Sequence, residues 1–270
     1  MRHGIFLAPF GSLAEPRRMA ELAARAEAAG WDGLFWDHVL YIDPVDAIAD
    51  PWVTLAAVAT VTERLTIGPM VTPIARRRPA KLARETVTLD RLAGGRLVLG
   101  VGLGSERTGE FARFGEPDDA RWRAAALDDG LDLVAKLWTG EPVDHLGPVF
   151  RAHGVRFRPT PVPRPRIPVW VGSKWPNRTP LRRAARWDGW FPVNVDSPDQ
   201  LAEGVAALTG LRSDLGRGET PFDVAIGRDP DDGDPAPWQA AGATWWLVRF
   251  GPDPDVGAVT AVVDAGPPHL

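Results

Sequence analysis

A chain of 270 residues, 44% apolar and 24% charged, suits one large α/β domain and is too apolar for a disordered segment. Its net charge of −4 gives no field to hold a polyanion, so nucleic acid is not an expected partner, and the absence of cysteine removes disulfides, thiolate metal sites and cysteine nucleophiles. No apolar run is long enough to span a bilayer and the first residues lack the core and cleavage site of a secretory signal, so no membrane association and a cytoplasmic location are expected.

In chain order, short apolar runs alternate with amphipathic stretches. Residues 3–8 read as a first strand and 15–29 as a helix with Met19, Leu22, Ala23 and Ala26 on one face, closed by Gly30. Residues 32–36 are a second strand. Asp50-Pro51 signals a cap and first helical position, opening a helix to 61. Residues 65–71 form a third strand, Pro79 opens a helix to 93, and 96–101 is a continuous apolar fourth strand, as in a sheet buried on both faces.

A long helix is expected over 119–138. The proline-rich stretch 140–166 lacks helical periodicity and reads as an insertion carrying a hairpin, 142–145 against 148–152. Strand five follows at 167–172, then a helix capped at Thr179-Pro180. Strand six is 189–193, and Ser197-Pro198-Asp199-Gln200 is a capping box for a helix to 212. Strands seven and eight fall at 222–227 and 243–249, separated by an acidic, proline-rich loop over 229–237. A weak final helix follows, in a tail short enough to question whether the ring is complete. Eight strands in strict alternation with helices predict an α/β (β/α)8 TIM barrel with an insertion before the fifth strand, spanning 1–270 as one domain. A doubly wound open sheet is the alternative. Most of the twelve tryptophans are assigned to packing.

In such a barrel, chemistry sits on the segments following the strands. These offer Asp37 and His38 after strand two, Met70 and Val71 after strand three, Gly104 and Glu106 after strand four, and Gly172, Ser173, Lys174 and Arg178 after strand five. His38 titrates near neutral pH and Glu106 would serve as a proton donor if buried, with Glu110 its rival four residues on. Glycine backbone and cations at 172–178 suit a phosphate. The run Arg76-Arg77-Arg78 reads as a solvated face or a phosphate contact. A metal-dependent hydrolase would need a His-x-His at the first strand, where His3 stands alone, so no metal site is expected. A glycosidase would need a second facing carboxylate. The Gly100–Gly104 run lacks the last glycine of a dinucleotide fingerprint.

The run 84–104, centred on Asp90-Arg91-Leu92-Ala93-Gly94-Gly95-Arg96, resembles the central signature of the bacterial luciferase-like flavin oxidoreductases and monooxygenases. Gly30-Trp31-Asp32-Gly33-Leu34-Phe35-Trp36-Asp37-His38 is similar to that family's second-strand motif. Pro168-Val169-Trp170-Val171-Gly172 and Arg183-Ala184-Ala185-Arg186-Trp187-Asp188-Gly189-Trp190 are similar to its fifth and sixth strands. The resemblance implies a flavin-type cofactor, coenzyme F420 (a deazaflavin) or FMN, with F420 slightly preferred, acting on a small organic substrate. It implies cofactor contacts at Asp37, Met70, Val71, Gly104, Gly172, Ser173, Lys174 and Arg178, catalytic roles for His38 and Glu106, and a non-proline cis peptide near Met70-Val71. The basic run 76–78 is expected to steer the anionic tail of F420. A separate flavin reductase, in the FMN case, and a homodimer are further expectations. A barrel that binds flavin without turnover, or a hydrolase, are the alternatives.

Overall fold

The computed structural model describes every residue except Tyr41, Asp43, Pro44, Asp46, Thr108, Pro163, Arg164, Asp253, His269 and Leu270; two residues of the expected insertion and one of the fourth-strand loop therefore lie outside the described set. Strands β1 (Arg2–Leu7), β2 (Gly33–Trp36), β3 (Thr66–Pro69), β4 (Thr72–Pro73) and β5 (Leu99–Gly102) precede a hairpin, β6 (Pro142–Leu146) and β7 (Arg151–Arg156). Then come β8 (Val169–Lys174), β9 (Gly189–Val193), β10 (Asp223–Arg228) and β11 (Trp245–Arg249). The large sheet is parallel, in the order β3-β2-β1-β11-β10-β9-β8-β5-β4. A parallel bridge between Ile67 and Leu97 joins β3 to the stretch entering β5 and closes the ring. β3 and β4 are two halves of one barrel strand, interrupted at Met70–Val71. The eight expected strands are thus all present, and the open-sheet alternative falls.

Helices α1 (Pro16–Ala28), α2 (Pro51–Val61), α3 (Pro79–Leu92), α4 (Ala120–Trp138), α5 (Arg178–Ala185), α6 (Pro198–Asp214), α7 (Ala236–Ala240) and α8 (Val256–Ala265) surround it. Their starts are chemically set. Asp50 accepts the Val53 N–H at 2.9 Å, and Ser197 accepts that of Gln200 at 3.3 Å. The Gln200 side chain returns to the N–H of Asp196, one residue ahead of the cap. Gly30, at φ +92, ends α1 in the left-handed region that a side chain would disfavour.

Four expectations need correction. The hairpin's second strand begins at Arg151, not 148, because the Asp129 carboxylate on α4 takes the N–H groups of Val149 and Phe150 at 2.9 and 2.7 Å and holds them in the turn. Helix α5 starts at Arg178 behind Asn177, so Thr179-Pro180 lies inside its first turn. The end of the acidic loop over 229–237 already belongs to α7, which buries Trp238. The tail does complete the ring: α8 buries Val259 and Val263 and lies against α1, and the Trp31 indole donates to the Val263 carbonyl at 2.9 Å.

The barrel interior is packed, not hollow. Phe35 and Trp170 stack with centroids 5.4 Å apart, and Trp245 meets them edge-on at 5.5 and 5.6 Å. Met70, Val98, Phe191, Ala225 and Leu247 complete this inner cluster. Each such ring buries on the order of 200 Å², so this plug is a major apolar contribution to the fold. It also sets a floor: a cavity opens above it, at the C-terminal ends of the strands.

Candidate active site

Strand alternation decides what faces that space. Phe35, Trp170, Trp245 and Leu247 point into the barrel, so residues two further along each strand do too: Asp37, Gly172 and Arg249. The resulting cavity has a volume of about 620 Å³, within the range of small-molecule sites. Asp37, His38, Met70, Val71, Gly104, Gly172, Ser173 and Lys174 all line it. Glu106 and Arg178 do not.

The wall at strands three to five is built around backbone. The Met70–Val71 peptide is cis, as the family resemblance implies. A Cβ placed on Gly102 would lie 2.5 Å from a methyl of Val71, and one on Gly172 2.7 Å from the other. Side chains at those two positions would push Val71 out of place, so glycine keeps the bulge seated and the wall flat. Met70 supports it from the inner cluster.

His38 is held to the same strand: its Nδ1 lies 3.1 Å from the Thr72 hydroxyl, and its carbonyl accepts from Arg76 at 3.3 Å. Enclosure by protein, with the nearby charges of Arg76 and Arg77, lowers its pKa to about 3, so the imidazole is neutral at ordinary pH. Asp37 behaves oppositely. Enclosure raises its carboxyl to about 6, with Glu110's charge adding to the rise, and the His38 N–H and Arg76 only partly oppose it. Of this adjacent pair, Asp37 is therefore the group that exchanges a proton near neutrality.

Glu106 turns away from the cavity, its carboxylate accepting the N–H groups of Phe111 and Ala112 at 3.0 and 3.2 Å and so pinning its own loop. Glu110 takes the place by the cavity. It is buried, accepts the Leu40 N–H and lies 3.3 Å from Arg76. That pairing also corrects the reading of the basic run. Arg76 is committed to Glu110 and Arg77 to Glu85, and neither lines the cavity; Arg78 is exposed.

At the fifth strand, β8 runs on to Lys174. Gly172 and Ser173 therefore sit in the ladder opposite Phe191 and Pro192 instead of in a loop. The Ser173 hydroxyl is engaged by the Trp190 indole at 2.8 Å, and the Arg178 guanidinium rests 5.6 Å from the Trp175 ring centre. What remains for an anion is Lys174 and Asn177 at the cavity edge, with the first turn of α5 behind them.

Sequence reasoning missed the far wall: Phe6, Phe191, Asn194, Arg228 and Arg249. Phe6 and Phe191 lie within strands, Arg228 and Arg249 end theirs and Asn194 follows one, so position in a strand was the available signal; none belongs to a motif. Asn194 has a left-handed backbone (φ +61), which is uncommon outside glycine and found at functional turns. None of the twelve tryptophans lines the cavity, and ten are buried.

Fold and cavity together define a barrel enzyme whose site lies at the strands' C-terminal ends. The chain belongs to the luciferase-like monooxygenase family, whose profile matches residues 1–230. The phthiodiolone/phenolphthiodiolone dimycocerosates ketoreductase of Mycobacterium tuberculosis (strain ATCC 25618 / H37Rv) is 32% identical over 204 residues, 71% of this chain. The chain spans about half, 51%, of that relative's length. Among solved structures, an F420-dependent secondary alcohol dehydrogenase in complex with an F420-acetone adduct superposes with a TM-score of 0.81 at 19% identity, covering 97% of each chain. The FMN complex of the oxygenating constituent of 3,6-diketocamphane monooxygenase from Pseudomonas putida gives 0.72 at 19% identity, covering 85% of this chain and 67% of that one. At such identity the two structures share the fold. The neighbours thus include both F420- and FMN-using enzymes.

Proposed function

We propose that the protein is an oxidoreductase that uses coenzyme F420 to interconvert a ketone and a secondary alcohol on a small organic substrate. The observation that carries this reading is the adjacent pair on the cavity floor: Asp37, able to exchange a proton near pH 6, beside a neutral His38 tethered to the strand that bears the Met70–Val71 bulge. The residues present fit the cofactor. Gly102 and Gly172 leave a flat wall at the bulge, and Lys174 and Asn177 stand where a phosphate would be met. When bound, the reduced coenzyme supplies a hydride to an electrophilic carbon. The chain does the rest: His38 donates a hydrogen bond to the carbonyl oxygen and Asp37 delivers the proton that completes the alcohol. In the reverse direction Asp37 removes it. General acid–base assistance of this kind is worth about 100- to 10,000-fold. Gly104 closes the fourth-strand side of the site. Glu106 acts through its loop and not on substrate.

Support also comes from the ketoreductase relative and from the alcohol dehydrogenase, which matches this compact barrel end to end. A separate flavin reductase has no part in this reading and belongs to the FMN alternative. We place the working enzyme in the cytoplasm as a homodimer. No described helix is long and apolar enough to cross a membrane. Helix α2 is apolar on nearly all sides, with Val53 66% exposed beside Leu92 of α3, the pattern of a helix with a second face to cover.

Absorbance titration of the purified protein with FMN and with F420 tests the cofactor directly. Saturable binding of F420 at lower concentration than FMN is expected. Tight FMN binding with no response to F420 would replace hydride transfer by oxygenation.

A further inference from the structure

The far wall of the cavity carries charge in an arrangement the proposed reaction does not use. Arg249 ends β11, two residues beyond Leu247 of the inner cluster, and so faces the lumen. Its side chain passes over Gly227, where a Cβ would lie 3.4 Å from Arg249 Cδ. Its Nε is held at 2.8 Å by Asp229, on the rim. Among the described residues its two terminal nitrogens make no hydrogen bond. Arg228, its neighbour in the chain fold, is turned the other way: it stacks 3.7 Å over Trp238 and donates to the Val195 carbonyl at 2.6 Å. Arg249 is therefore the cation that this wall offers to the lumen, with one edge fixed and a planar fork left open.

The register sets its distance from the reacting end. Phe6 pairs with Arg249 on one side and Phe35 on the other, so these three residues form one row across three strands. Asp37 stands two residues above Phe35. Two strand spacings and one two-residue step place the Asp37 and Arg249 Cα atoms on the order of 12 Å apart. Both side chains face the gap between them. Apolar groups floor that gap: Phe6, packed edge-on against Phe191 with centroids 5.9 Å apart, and Ile226. The charges are polarised along it. Asp37 and Glu110 lie at one end and the Arg249 fork at the other, while Lys174 stands on the fifth-strand side and the carboxylates of Asp196, Asp229 and Asp232 are exposed on the rim, where water and salt screen them.

We propose that Arg249 is a specificity-determining residue that binds a carboxylate on the substrate, selecting ketones (or the matching secondary alcohols) that carry a carboxylate at the end remote from the reacting carbon. The guanidinium fork accepts a carboxylate through two parallel bonds. The guanidinium draws the anionic group to the eighth-strand side, so the substrate enters with its carbonyl at Asp37 and His38. This inference rests on the proposed ketone–alcohol chemistry.

Its test uses two probes matched in length, 5-oxohexanoate and 2-hexanone, which differ by a carboxylate in place of a methyl group. With reduced F420 as hydride donor, KM for the acid is expected to be lower by about ten-fold or more, the scale of a charge-assisted hydrogen-bonded pair. Arg249→Leu should bring the ratio of the two KM values to near one, and Arg249→Lys should restore part of the preference. Equal KM values in the wild type, or a loss in Arg249→Leu that is the same for both probes, would overturn the proposal. Calorimetric binding of both probes to the cofactor-free protein separates the two claims. Preferential binding of the acid that Arg249→Leu abolishes upholds the carboxylate site even where neither probe turns over, an outcome that sinks the reaction and not the site. Indifference of the cofactor-free and loaded protein alike to the carboxylate rejects the site.

Discussion

Asp37 and His38 are adjacent in sequence and opposite in acid–base behaviour, and that opposition has measurable consequences. The Asp37 carboxyl, raised from 3.8 to about 6, is protonated in the folded protein where the unfolded chain is ionised. Its contribution to stability is present below pH 3.8 and is lost as pH rises through 6. His38, lowered from 6.5 to about 3, stays neutral where the unfolded chain is charged, so its contribution is present above 6.5 and is lost as pH falls toward 3. Between about pH 4 and 6 the two slopes cancel. Asp37→Asn should therefore expose a stability that falls on acidification, and His38→Asn one that falls as pH rises through the same window, each approaching 1.4 kcal/mol per pH unit. Melting temperatures at half-unit pH steps, relative to wild type, read this out; parallel curves for both variants would contradict it. In turnover, kcat for ketone reduction should hold below pH 6 and decline above it, with the limb removed by Asp37→Asn and kept by His38→Asn. The two glutamates differ likewise. Glu110→Gln should alter the Asp37 limb, since its charge contributes to the shift, whereas Glu106→Gln should lower thermal stability and leave the limb in place. Sequence could not separate these carboxylates. They stand four residues apart in a loop without periodicity, and the partner that claims Glu110, Arg76, lies 34 positions away.

At the scale of elements, the strands were legible because each is a short apolar run with a turn or cap beside it, and Asp50, Gly30 and Ser197 marked helix ends that the structure keeps. At the hairpin's start and in the choice between Glu106 and Glu110, a long-range polar contact overrides local pattern. The hairpin is the clearest case: Asp129 accepts two turn N–H groups and the His145 Nε2 at 2.8 Å, while Lys136 lies 3.1 Å from the other ring nitrogen. Asp129→Ala would leave the buried His145 and two part-buried N–H groups without this acceptor, and is expected to cost on the order of 3 kcal/mol, a drop in Tm of roughly 6–12 °C. An unchanged Tm would mean that the hairpin is held by its apolar contacts alone. The Met70–Val71 bulge, by contrast, lies where the family resemblance implied it. Because a Cβ at Gly102 meets Val71 at 2.5 Å, Gly102→Ala should weaken cofactor binding by about ten-fold or more through displacement of the bulge. Titration of that variant with F420 checks this, and wild-type affinity would show that the wall does not support the ring.

For the whole molecule, the barrel explains why residues from strands two, three, five and eight meet: all the strands are parallel, and the cavity opens at their C-terminal ends above the aromatic plug. The apolar outer face of α2 makes a further claim at this scale. Wild-type protein should sediment as a dimer, and Val53→Asp should shift it to monomer; a monomeric wild type would leave that face unexplained by self-association. The central claim is that the cavity passes a hydride between F420 and a ketone without oxygen. The most direct measurement is an anaerobic mixing experiment in which the protein, reduced F420 and a ketone are combined and the absorbance of the oxidised coenzyme is followed. The account predicts that oxidised F420 returns in proportion to the ketone consumed, with a secondary alcohol formed in equal amount. No oxidation without oxygen, together with turnover when reduced FMN and air are supplied instead, would contradict it.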